Sequence, residues 1–330
     1  MKGKPFLVLA IFLFSGLTLL CAFESTYGQG IEKINIGYSG TGITQYVLEM
    51  PRRLGIYRKN GLDPLIVYVG SGSLLSQALI GGSFDVAFSQ GSEAMLARLR
   101  GADQRIVASV ANHFNHVYMT APNITSIKQL KGKKIAVSRF GSGSHFMTNL
   151  VLREGGLDPE RDVSVLQIGN SGSRLAAILT GSVDGTIMAA DFIPQAKKEG
   201  LNVLVDLADT KIEYPFLTFN MMGPVVDRRF NVIKAFIKSI SEGIYMLQTD
   251  SVAAKAAIKA ALRTDDLETI EFAAMRSAKV LERRPFPTRA ALQTVVEELS
   301  PKEPKAKSSK FEDFVDLRAL REVEREGGLR

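Results

Sequence analysis

Tryptophan is absent, cysteine occurs once (Cys21), and histidine occurs three times, at His113, His116 and His145. One cysteine excludes a disulfide framework within the chain and any CxxC or Cys/His zinc site. The lack of tryptophan speaks against an aromatic cage for a quaternary ammonium ligand. No block of five or six like charges occurs: 41 Lys and Arg against 34 Asp and Glu give a formal charge of +7 over 330 residues. The most basic stretch (Lys302, Lys305, Lys307, Lys310) lies in a proline-containing loop, so nucleic-acid binding is not expected. Enzyme signatures are missing too. There is no GxxxxGK[ST], no GxSxG and no HExxH, and no GxG pair has the third glycine of a dinucleotide fingerprint. His113 and His116 form an HxxH pair without an acidic or cysteine partner, and His145 has no nucleophile to activate. The sequence therefore points to no catalytic residue, metal ligand or cofactor.

What is present is an ordinary apolar content of 45%, which rules out wholesale disorder, and a length that suits two domains. Met1 to Gly30 has the form of an export signal. Lys2 and Lys4 lead, Phe6 to Phe23 is an uncharged run, and small residues follow with a cut expected after Gly28. Two rivals stay open: the run is long enough for a membrane anchor, and Cys21 could carry a lipid, although Leu20 stands where lipoprotein signals want a small residue. The rest of the chain has no second run of spanning length. A soluble exported body, placed by the resemblance given below in the periplasm, is expected.

From Glu32 onward, β-rich runs alternate with helical segments: strands at Lys33–Tyr38, Leu65–Val69, Phe84–Ser89, Lys134–Ser138, Val163–Ile168, Gly185–Ala189 and Val203–Asp206. This rhythm is that of parallel, doubly wound α/β units. Asp227 to Leu299 reads as helical, with caps at Asp227, at Asp250 or Ser251, and at Asp265, and a last helix is expected over about Phe311 to Glu324. An internal repeat relates SGSLLSQALIG (Ser71 to Gly81) to SGSRLAAILTG (Ser171 to Gly181), and Asp85 matches Asp184 after a one-residue slip. A period this long suits two similar lobes rather than a solenoid.

Five times a strand runs into a small polar turn that opens a helix: SGTG (Ser39 to Gly42), GSGS (Gly70 to Ser73), SQGS (Ser89 to Ser92), GSGS (Gly141 to Ser144) and NSGS (Asn170 to Ser173). Strand C-termini in such sheets face the ligand crevice. Serine and threonine cap the helices, and the free N–H groups with the helix dipole make an anion seat. Arg139, at a strand end, either grips a carboxylate, sulfonate or phosphate or forms a surface ion pair. Asp191 either meets a ligand amine or hydroxyl or caps the next helix. Tyr38, Phe140, Phe146 and Phe192 are candidate apolar walls.

These residues resemble the periplasmic substrate-binding proteins of nitrate/sulfonate/taurine-type ABC importers, which share a fold with thiamine-pyrimidine synthesis proteins. The resemblance lies in IGYSG, in MPRRLGIYRKNGLDPLIVYVGSGSLLSQALIGGSFDVAFSQGSEAM, in SIKQLKGKKIAVSRFGSGSH and in LREGGLDPERDVSVLQIGNSGSRLAAILTGSVDG, and covers about Ile34 to Glu322. It implies a type II periplasmic-binding-protein fold: two doubly wound α/β lobes with a ligand cleft between them and a helical C-terminal region. The lobes would be 31–120 with 217–330, and 121–216, joined near Val117–Ala121 and Phe216–Met221. Ligand would touch Ser39, Gly40, Thr41, Gly42, Ser71, Gly72, Ser73, Gln90 and Ser92 on one side. Arg139, Ser142, Gly143, Ser144, Ser171 and Asp191 would face it from the other. The implied function is capture of a small anionic solute (a sulfonate, a nitrate-like ion, a carboxylate or a pyrimidine precursor) by a monomer. The partner would be a membrane permease. The alternatives are an enzyme on the same fold, against which the missing cysteine-rich motif counts, and a tethered sensory binder.

Overall fold

Alternation sets the first strand: in β1 (Glu32–Tyr38) Ile34 and Ile36 are buried while Lys33 and Asn35 face out. The computed structural model describes residues 30–329, so the expected signal segment and Cys21 lie outside the described residues. β1 pairs in parallel with β2 (Leu62–Tyr68) on one side and β3 (Val86–Ser89) on the other. Parallel neighbours need crossovers; α1 (Ile43–Arg53) and α2 (Gly72–Ile80) supply them, and α3 (Gly91–Leu99) leads on to β4 (Gln104–His113). The second sheet is made by β5 (His116–Thr120), β6 (Lys134–Val137), β7 (Ser164–Gln167), β8 (Gly185–Ala189) and β9 (Asn202–Asp206), with α4 (Gly143–Glu154) and α5 (Ser171–Leu179) as crossovers. β10 (Glu213–Met222) then returns to the first sheet, antiparallel to β3 and β4.

The strand orders are β2-β1-β3-β10-β4 and β7-β6-β8-β5-β9. They superpose term by term, with β5 inserted antiparallel beside β8 as β10 is beside β3. The chain is thus α/β with two doubly wound sheets. Five long helices close the described chain: α6 (Phe230–Thr249), α7 (Ser251–Leu262), α8 (Leu267–Val280), α9 (Arg289–Leu299) and α10 (Arg318–Arg325). α6 lies on α1 so closely that a Cβ on Gly243 would sit 2.7 Å from the Pro51 ring, which makes glycine the residue that fits there.

Three strands depart from the sequence reading. β4, β5 and β10 were not expected as strands, and Val117–Ala121 and Phe216–Met221, expected at the crossings, lie largely inside β5 and β10. β4 and β10 are buried along almost their whole length, so both faces are covered and the two-residue alternation is lost. The chain changes sheet instead between His113 and His116 and between Asp206 and Glu213. One side chain ties both passages: Arg276 of α8 donates to Asn115 Oδ1 at 3.0 Å and to both carboxylate oxygens of Asp206 at 2.8 and 3.0 Å. The last expected helix is also broken. Phe311–Phe314 is one turn, Val315 is extended and bridges Ile106, and α10 follows. Asp250 caps α7 by accepting from Ala253 N at 2.9 Å, whereas α8 starts after Asp266, not Asp265, and Asp227 lies inside a short helix.

Packing separates the crossover helices. Under α2, Leu75 and Leu79 close on Ala87. Under α5, Leu175 and Ile178 close on Val117, Met119 and Met188, and Phe272 of α8 reaches the same cluster. The main core runs through both sheets, from Ile34 and Phe88 to Ile135, Phe146 and Ile187.

Candidate functional site

The strand ends deliver their turns to one place. Ser71 caps α2 by accepting from Leu74 N at 3.3 Å, Ser142 caps α4 by accepting from His145 N at 3.4 Å, and Asn170 caps α5 by accepting from Ser173 N at 2.9 Å. Between these helix starts lies a cavity of ≈ 60 Å³, lined from both sheets. A water's share of the liquid is about 30 Å³, so the space suits a group of a few heavy atoms. A wider groove of ≈ 850 Å³, with Tyr38, Ile66 and Phe192 in its wall, shares Thr41, Tyr68 and Asn170 with the cavity.

Of the residues expected at the site, Ser39, Gly40, Thr41, Ser71, Gly72, Gln90, Ser142, Gly143, Ser144 and Ser171 line the cavity. Gly42, Ser73, Ser92, Arg139 and Asp191 do not. Gly42 starts α1 at φ +69°, pressed against Asp191, where a Cβ would lie 1.8 Å from Oδ2. Ser73 Oγ pairs with Ser71 Oγ at 3.3 Å, and Ser92 accepts from the Tyr214 hydroxyl at 2.6 Å. Arg139 is exposed on the turn after β6. Its neighbour Phe140 is 52% exposed and meets His145 edge-on, while Phe146 packs on Tyr214 from the other sheet with ring centres 4.8 Å apart.

The cavity's guanidinium is Arg174, on the first turn of α5 and 3% exposed. Its donors reach Thr186 Oγ1 (3.1 Å), the Gly169 carbonyl (2.5 Å), Ser171 Oγ (3.2 Å) and the Ile187 carbonyl (3.1 Å). All are neutral acceptors. Among the described residues no carboxylate pairs with it, and burial brings its pKa down to about 10. A buried cation without a counter-charge is costly, and the cost is removed by an anion that enters beside it. Two further polar atoms of the lining are enclosed and without a partner, Thr41 Oγ1 and His116 Nδ1. Burial, with Arg174 nearby, holds His116 down to about 3, so the ring is neutral at physiological pH.

Two carboxylates join the sheets around the cavity. Glu93 of α3 lines it and accepts the Gly143 amide of α4 at 2.8 Å. Asp191, beyond the end of β8, accepts the Tyr46 hydroxyl of α1 at 2.9 Å. Burial pushes both acids above their ordinary values. Glu93, His116 and Arg174 were missed as site residues. Glu93 has the signal of a capping box after Gln90 and nothing more, since its Oε2 accepts the Gln90 amide at 3.0 Å. Arg174 stands on the buried stripe Ser171, Arg174, Leu175, Ile178 of α5, and an arginine on an apolar face is the signal that could have found it. No group of acidic, histidine or cysteine side chains suited to a metal, and no helix long and apolar enough to cross a membrane, occurs among the described residues.

Known proteins repeat this architecture. A protein of Bordetella bronchiseptica RB50 is similar at TM-score 0.79 and 21% identity, over 89% of this chain and 98% of that one. The alkanesulfonate-binding protein SsuA of Xanthomonas axonopodis pv. citri, bound to MOPS, is similar at TM-score 0.70 and 16% identity, over 84% and 94%. The periplasmic nitrate-binding protein NrtA of Synechocystis PCC 6803 is similar at TM-score 0.70 and 13% identity, over 91% of each chain. No curated protein sequence matches. The model of the NMT1/THI5-like family matches residues 47–254. With two like sheets facing one polar cavity, and with that match over most of its length, the chain belongs to the NMT1/THI5-like family and has the periplasmic-binding-protein fold.

Proposed function

We propose that the protein is an exported solute-binding component of an ABC importer that captures a small organic anion between its two halves and passes it to a membrane permease. The observation that carries this reading is Arg174: a buried, unpaired guanidinium on the wall of a small polar cavity. An anion there meets a charge with little solvent to screen it, which strengthens the attraction well beyond its value in water. Orphaned Thr41 Oγ1 and His116 Nδ1 offer further hydrogen bonds. The names of similarly folded proteins, which bind alkanesulfonate and nitrate, support the same class of ligand. Binding of solute would draw together the body built on the first sheet and the body built on the second. The passages 114–115 and 207–212 would serve as hinge and Arg276 as the strut between them.

Isothermal titration of wild type and Arg174→Met with methanesulfonate, nitrate and acetate tests the reading. At least one anion is expected to bind wild type and to lose at least about a hundredfold in affinity in the variant, the scale of one buried charge-assisted pair. Equal affinity in both proteins would sink it.

A further inference from the structure

Three helix starts meet at one carboxylate. Glu93 is 4% exposed, and its Oε2 accepts the amide of Gln90 at the start of its own helix α3. Its Oε1 accepts the amide of Gly143, the first residue of α4 in the other half. The same carboxyl lies against Gly72, the first residue of α2, where a Cβ would sit 1.8 Å from Oε1. Helix starts of this kind carry free N–H groups and the positive end of a dipole, and are ready seats for an anion. Here the protein fills the seat itself.

Capping alone does not account for Glu93. A cap needs only the Gln90 amide, yet this side chain crosses to the other half and gives up its water. Among the described residues it has no ion-pair partner. The other titratable groups on the cavity wall are Arg174, neutral His116 and the phenol of Tyr68, so the cavity holds one cation and one acid, whose two oxygens each accept a backbone amide as a carboxylate does. We infer that Glu93 is a specificity-determining residue: its charge occupies the helix-terminus seat, so the cleft takes a monoanion on Arg174 and rejects a dianion of the same shape. This rests on the anion-binding reading above and sharpens it. Discrimination through a built-in repulsion needs no extra contact with the favoured ligand. Burial already pushes the Glu93 carboxyl up, and the charge of a monoanion is met by Arg174, whereas the extra charge of a dianion has no cation on the cavity wall to meet it and is repelled by Glu93.

Methanesulfonate and sulfate are a matched pair of tetrahedral oxyanions that differ by one charge. Titrated near neutral pH, wild type is expected to bind methanesulfonate at least about tenfold more tightly, and Glu93→Gln to raise the sulfate-to-methanesulfonate affinity ratio by a similar factor. Equal affinities in wild type, or an unchanged ratio in a folded Glu93→Gln, overturn the inference and leave the anion reading standing. Absence of any Arg174-dependent anion binding removes the reading and the inference together. Should Glu93→Gln fold poorly, the wild-type comparison decides alone.

Discussion

Helices α2 and α5 are counterparts in the two sheets, and both pack on a core and open on the cavity, yet one buries a leucine where the other buries an arginine. Letter by letter, the repeat pairs Arg174 with Leu74, which is 40% exposed. In three dimensions the register shifts by one. The buried residues Gly72, Leu75, Ser76 and Leu79 of α2 match Ser171, Arg174, Leu175 and Ile178 of α5. Asp85 receives the Asn35 amide at 2.8 Å as Asp184 receives the Lys134 amide at 2.9 Å, in the same shifted register. Arg174 therefore occupies the place of Leu75, which is 0% exposed. One half spends this position on apolar packing. The other spends it on a cation held by carbonyls and hydroxyls, a poor stabiliser that recognises charge.

Exchanging the two roles gives the largest expected effects. Leu75→Ala is expected to lower unfolding free energy by about 2–5 kcal/mol in chemical denaturation, the cost of a cavity in a packed core. The ligand response of the folded fraction should persist, because Leu75 is not on the cavity wall. Arg174→Leu is expected to abolish anion binding while shifting stability by only about 1 kcal/mol, since removal of an uncompensated buried charge offsets the donors lost to Gly169 and Ile187. A variant Arg174→Leu that binds anions normally, or a stability of Leu75→Ala equal to wild type, breaks the contrast between the helices.

The inserted strands differ in the same sense, and pH exposes it. β5 opens on His116, held to about 3 when folded against 6.5 when free, whereas β10 opens on Glu213. As pH falls from 6.5 toward 3 the unfolded chain takes up a proton that the folded one refuses, so stability is lost over that window. Glu93 and Asp191, raised by burial, act in the opposite direction: the folded form binds their protons first as pH falls. Thermal melts of wild type and His116→Gln are expected to keep a constant offset near neutral pH and to change it in acid, where only wild type loses stability through this group. Parallel curves would place the sensitivity elsewhere.

The smallest effects should be equal in the two halves. Ser71→Ala and Asn170→Ala each remove one helix cap and are expected to cost about 1 kcal/mol in denaturant melts. A large difference between them would mean that the cap of one half also carries the ligand.

Much of this was legible in the chain. The caps at Ser71, Ser142 and Asn170 and the strand–helix alternation are local, written within a few residues by hydroxyl and amide side chains and by apolar spacing. Ten residues of the cavity wall, mostly serine and glycine, followed from their place at strand ends. Arg139 shows the limit: it too stands just past a strand end, but its turn points the side chain to solvent. β4 and β10 escaped because burial on both faces erases the alternation that marks a strand.

The sequence by itself determined two similar α/β halves whose helices begin with anion-friendly turns, because capping and periodicity act over one or two turns of chain. Only the tertiary structure decided which charges face the cavity. Glu93 meets an amide fifty residues away and Arg174 is sealed against β8, and burial of that kind depends on contacts that no local pattern records.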